Sequence, residues 1–174
     1  MLNIVIVEDE SLFAQTLKYM IELNPRYVVT DIADDRASAL AAVERRRPDL
    51  ALVDLQLAHG NTGFAVAAQL VERGIACLFT SGKPPAFPIP DLALGCLLKP
   101  FSEEDLVRAL KAAEDILRGR ERVRPSRPAN LRLYGEEREA AAPSSPPVHA
   151  ELPPRQLPSR LGRWWPTGHR QRLG

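Results

Sequence analysis

Over the first 117 residues, short apolar runs that stop at a charged or hydroxyl residue alternate with stretches of helical periodicity, and a proline- and arginine-rich stretch follows. The alternation predicts an α/β fold, a doubly wound parallel sheet covered by helices on both faces, because strands separated by helical segments close as right-handed βαβ units. The change in composition predicts that the folded part spans residues 2–117. A strand buried on both faces reads as an unbroken apolar run, and its carboxyl end is where chemistry collects.

Asn3–Val7 forms the first strand. Ser11 caps a helix through about Leu23, with Leu12, Phe13, Leu17, Met20 and Ile21 as its apolar stripe and Asn24-Pro25 as its stop. Tyr27–Ala33 is the second strand. Asp34 or Asp35 opens a second helix, Ala37 to Arg46, and Arg45-Arg46-Arg47 suits the negative end of its dipole. Leu50–Asp54 is the third strand. A loop with His59, Gly60, Asn61 and Gly63 leads to a helix from Phe64 to Arg73, closed by Gly74. Ala76–Thr80 and Leu94–Leu98 are the fourth and fifth strands. Between them stand Pro84, Pro85, Pro88 and Pro90. Proline removes a donor and forces extended backbone before it, so the fourth helix is short or absent. Ser102 caps a last helix to about Arg118, and Glu103-Glu104-Asp105 in its first turn suits the positive end of the dipole.

Charge divides the chain in the same place. Residues 1–117 hold 11 Lys/Arg and 17 Asp/Glu, a balance of −6, whereas residues 118–174 hold 12 Arg and 5 Asp/Glu, a balance of +7. The stretch 118–174 carries nine prolines, few aliphatics, and Trp164-Trp165 near its end. It buries too little apolar surface to offset the entropy of ordering and reads as a mostly disordered tail. It has no zinc-ligand spacing, heptad run or helix-turn-helix pattern. Cys77 and Cys96 lie in apolar runs and read as small buried hydrophobes of a reducing compartment. Acids follow the first apolar run at once, which does not resemble a secretory leader. No apolar run approaches the ~20 residues that span a bilayer. The expected location is the cytoplasm, with no membrane partner.

The residues that stop the strands are Glu8 and Asp9, Asp54, Thr80 and Ser81, and Lys99. In an open α/β sheet ligands bind outside the carboxyl ends of the strands, where strand order reverses. Three carboxylates in one pocket repel unless a cation neutralises them. Hard oxygen donors with no His/Cys pair beside them favour Mg²⁺ over zinc, and few protein oxygens with water completing the shell favour it over calcium. Asp54 then has the chemistry of a nucleophile toward a phosphoryl group, with Lys99 as a second cation and a strand-four hydroxyl as a donor to phosphoryl oxygens. His59 reads as a solvated loop residue, and Lys83 as either a surface charge or a modulator of the site.

The runs VEDE at 7–10, LVDLQL at 52–57, LFTSG at 78–82 and LLKPF at 97–101 resemble the receiver (CheY-like) domain of two-component response regulators, over roughly residues 2–117. The resemblance implies a flavodoxin-like (βα)5 fold with strand order 2-1-3-4-5. It implies Asp54 as phospho-acceptor, with Glu8, Asp9, Asp54 and the Gln56 main-chain carbonyl as Mg²⁺ partners. Lys99 would pair with the phosphate, with a cis bond before Pro100 allowed. The register seen in similar receivers favours Ser81 as the switch hydroxyl over Thr80; alternation lets one of the two face the site. Cys96 stands where the family usually carries an inward-turning aromatic, and the fourth helix, part of the usual output face, is proline-broken.

The resemblance implies a histidine kinase or histidine phosphotransfer protein as donor, and a phospho-acceptor with slow autodephosphorylation rather than an enzyme. Output would be a contact with a downstream protein, and a homodimer is compatible with it. Two other functions stand beside this one. A phosphate sink would use hydrolysis of the Asp54 phosphate and no output. A nucleic-acid effector would use the basic tail, and the missing DNA-binding fold argues against it.

Overall fold

The computed structural model describes residues 1–58, 62–120 and 127–135, all within one unit spanning Met1–Ala142. The expectations for His59, Gly60 and Asn61, for Trp164-Trp165 and for the rest of 136–174 lie outside the described residues. The elements run β1 (Leu2–Val7), α1 (Ser11–Glu22), β2 (Tyr27–Ala33), α2 (Arg36–Arg45), β3 (Leu50–Asp54), α3 (Gly63–Glu72), β4 (Ala76–Ser81), β5 (Gly95–Leu98), α4 (Glu103–Leu117) and β6 (Leu131–Leu133). They build one sheet of order β2-β1-β3-β4-β5-β6. β1 to β5 pair in parallel, as the alternation of strands and helices requires.

Two apolar layers flank the sheet, and alternation along each strand decides which layer a side chain enters. Ile4, Ile6, Leu50, Leu52, Leu78 and Leu97 meet Leu17 and Ile21 of α1 and Leu106, Ala109 and Leu110 of α4. Val5, Val7, Ala51, Val53, Phe79 and Cys96 meet Ala39 and Val43 of α2 and Val66 and Leu70 of α3. Both faces are covered, so every β3 residue is buried and the strand carries no polar alternation.

Two of the four described helices carry side-chain caps, while Thr62 at the start of α3 makes no side-chain cap bond. Asp35 and Ser102 each accept from the backbone N–H three residues on, completing capping boxes with Ser38 and Asp105. Ser11, expected as a cap, is instead the first residue of α1; Glu10 holds the cap position without a side-chain bond. Gly74 ends α3 at φ +70°, where a side chain would be strained. Between β4 and β5 the proline segment forms no helix, only a turn in which Leu92 and Ala93 N–H donate to the Ile89 oxygen.

Within the stretch 118–174, expected to be mostly disordered, the described residues include a strand the sequence did not announce. Leu131–Leu133 pairs antiparallel with Gly95–Leu97, adding a sixth strand to the expected five. Leu131, Leu133 and Tyr134 are buried, so this segment brings apolar surface of its own. Gly95 admits the pairing because a Cβ there would lie 2.2 Å from the Arg132 oxygen. No helix among the described residues is long and apolar enough to cross a membrane.

Candidate functional site

β1 and β3 are neighbours at the centre of the sheet, and both stop at acids. Glu8 and Asp9 follow β1 directly, and Asp54 is the last residue of β3. One carboxylate oxygen from each lies within 4.8 Å of the other two. Glu8 is 3 % exposed and Asp54 6 %, while Asp9 is half-buried at the rim. Three carboxylates this close need compensation. Lys99, just past β5, provides part of it: its Nζ donates to Asp54 Oδ2 at 2.7 Å and to Glu8 Oε2 at 2.9 Å. Three negative charges against one positive leave a balance of −2, which a divalent cation would cancel. All donors are hard oxygens, so the cluster fits a metal of the magnesium type.

Backbone amides orient the acids. Gln56 N–H donates to Asp54 Oδ1 at 2.9 Å, Ala58 N–H to Asp9 Oδ2 at 3.0 Å, and Glu10 N–H to Glu8 Oε1 at 3.3 Å. Gln56 itself is exposed on the loop after Asp54. α3 starts against the main chain of Asp54, where a Cβ on Gly63 would lie 2.1 Å from the Asp54 oxygen. Only glycine allows that approach. Beneath Lys99 lies Phe13 of α1, its ring centroid 4.4 Å from Nζ, with Phe101 6.0 Å from the same ring. Phe13 reads in the sequence as part of a helical stripe; its place under the cation comes from the packing of α1 on the sheet.

Burial shifts these groups in different directions. Glu8 is raised above the ordinary carboxylate range because burial disfavours its charge more than Lys99 relieves it. Burial works against the Lys99 ammonium too, but its hydrogen bonds to Asp54 and Glu8 prevail and its pKa stands above the ordinary value. Burial pushes the Cys96 thiol up to about 11. Cys96 sits in the α2/α3 layer, paired with Phe79 on β4. The Lys99–Pro100 peptide is cis.

The two strand-four hydroxyls, Thr80 and Ser81, both lie buried at the end of β4. Thr80 pairs directly with Asp54 in register and is 1 % exposed. Alternation from Leu78 puts Thr80 on the same side as Ile6, Leu52 and Leu97. Ser81, the favoured residue, follows Phe79 on the other side and pairs with Leu98. Its hydroxyl is occupied at the turn, donating to the Lys83 oxygen at 2.7 Å and accepting from Lys83 N–H at 3.1 Å.

Residues 4–111 match the family model described as the response regulator receiver domain. Among curated relatives, the sensory transduction protein LytT of Bacillus cereus is 34% identical over 117 residues, covering 64% of this chain and 46% of LytT. The probable transcriptional regulatory protein NarL of Mycobacterium tuberculosis is 32% identical over 154 residues, covering 85% of this chain and 68% of NarL. The solved receiver domain of the putative response regulator NarL from M. tuberculosis aligns at TM-score 0.59 and 30% identity, covering 68% of this chain and 98% of that one. The chain spans about half the length of the first relatives it matches (46% and 47%).

Proposed function

Because the chain belongs to the response regulator receiver family, whose members act in signalling, we propose that it is the phospho-acceptor of a two-component system, with Asp54 receiving the phosphoryl group. The observation that supports this most is the Asp54 carboxylate held between Lys99 Nζ at 2.7 Å and the Gln56 amide at 2.9 Å, beside two further acids. The donor is a phosphohistidine on a histidine kinase or phosphotransfer protein in the cytoplasm. An Asp54 oxygen attacks phosphorus; a P–O bond forms as the P–N bond breaks, and the imidazole nitrogen keeps the electron pair and takes up a proton. Transfer of this kind depends on alignment and charge neutralisation more than on covalent help from the protein.

Lys99 turns from Asp54 to the incoming phosphoryl oxygens. Ser81 at the end of β4, with Thr80 beside it as the alternative, supplies a hydroxyl to the same oxygens. Glu8, Asp9 and Asp54, with the Gln56 carbonyl, would hold Mg²⁺, whose chemistry when bound is neutralisation of phosphoryl charge. The new group adds up to about 2 negative charges beside the strand-four hydroxyls and Lys99, and this is the switch read by a downstream protein. Incubation with a small phosphodonor and Mg²⁺, followed by intact-mass spectrometry, tests the reading. A single phosphate adduct is expected, absent with EDTA and absent in Asp54→Ala. An adduct that persists in Asp54→Ala would refute it.

A further inference from the structure

β6 reaches the site through the residue that precedes it. Asn130 accepts at its main-chain oxygen from Leu98 N–H at 2.9 Å. Its side-chain Nδ2 donates to the Leu98 oxygen at 3.3 Å and to the Pro100 oxygen at 3.5 Å. These carbonyls belong to the residues on either side of Lys99. On the opposite edge Lys99 N–H donates to the Ser81 oxygen at 2.8 Å. The backbone at Lys99 is therefore gripped from β4 on one side and by Asn130 on the other. Asn130 also reaches α4: the Asp105 carboxyl is held below its usual range first by Ser102 N–H, then by the Ser102 hydroxyl, with the Asn130 amide adding to both.

Strand pairing alone asks nothing of the Asn130 side chain, since its main-chain oxygen makes the ladder bond. An amide is what two neighbouring carbonyls require, because it offers two N–H donors where a carboxylate offers none. A lysine stem is long and flexible, so the place of its ammonium depends on how firmly the backbone beneath it is held. Misplacing a catalytic group by about 1 Å costs up to about 100-fold in rate.

We infer that Asn130 is a positioning residue for phosphoryl transfer, fixing the backbone from which Lys99 reaches Asp54. The inference rests on the reading that Asp54 accepts the phosphoryl group. It makes Arg127–Gly135 part of the working receiver rather than an appendage.

The test compares phosphorylation rates of the full chain and its variants with a small phosphodonor at saturating Mg²⁺. Asn130→Ala is expected to slow adduct formation by about tenfold. Asn130→Asp, which keeps the shape and loses the donors, is expected to do the same and serves if the alanine variant fails to fold. In a Lys99→Ala background neither substitution should slow the reaction further, because two residues acting through one interaction are not additive. A rate within twofold of the unmodified chain overturns the inference while leaving Asp54 phosphorylation intact, as does an equal loss in the Lys99→Ala background. No adduct on the unmodified chain overturns the Asp54 reading itself, and this inference with it.

Discussion

Lys99 touches two buried carboxylates and an aromatic face, and that neighbourhood sets what its removal does. Lys99→Ala leaves Glu8 and Asp54 without their cation. Removing one partner of a partly buried pair costs about 1–3 kcal/mol here, discounted because the lysine side chain is 25% exposed. Urea unfolding in EDTA should show that loss. Mg²⁺ should restore more stability to the variant than it adds to the unmodified chain, since the variant has the larger uncompensated charge; equal increments would contradict the account. The two strand-four hydroxyls should separate by role. Ser81→Ala should accept phosphate yet lose the phosphorylation-dependent amide shifts at Lys99 and Leu98, whereas Thr80→Ala should keep them. Two-dimensional amide NMR before and after phosphodonor reads both. The sequence orders these hydroxyls through the register of similar receivers, which favours Ser81, and a one-residue change of strand register would exchange the faces of the sheet. The register itself is set by pairing with β3 and β5.

At the scale of elements, the parallel strands were legible because the central ones are buried on both faces and read as apolar runs, while the edge strand β2 keeps a Val/Ile-rich pattern around Thr30 and Asp31. Proline spacing likewise announced the missing helix between β4 and β5. β6 was not legible. It has three residues, one of them arginine, within a segment of disorder-like composition. Its order comes from the open edge of β5 and not from its own pattern. Gly95 carries the one local trace, since its missing Cβ leaves room for the Arg132 main chain. Gly95→Ala should therefore unseat β6 while leaving β1 to β4 paired. Hydrogen exchange checks this: the Leu98 amide, which donates to Asn130, should lose protection, and the Leu52 amide inside β3 should retain it. Unchanged protection at Leu98 would show that β6 tolerates the added methyl.

For the whole molecule, three buried groups tie stability to pH. Burial pushes Cys77 up to about 12 and Cys96 to about 11. Tyr27 stands at about 12, through burial first and then the nearby Glu114 carboxylate. Each folded value lies above the unfolded one, so the fold favours the neutral forms. Their contribution is fully present below the ordinary cysteine value of 9.0 and is lost as pH rises through about 11 to 12. Urea midpoints should be flat from pH 7 to about 8.5 and fall above it. Both thiols should resist alkylation at pH 8 until the chain unfolds. All of this structure serves one claim, that the chain presents Asp54 for phosphorylation. The direct measurement is borohydride reduction of the phosphodonor-treated protein followed by peptide mass mapping, because borohydride converts an aspartyl phosphate to homoserine. The account predicts homoserine at position 54, and none in EDTA. Homoserine at position 9 instead, or phosphate retained on Thr80 or Ser81, would contradict it.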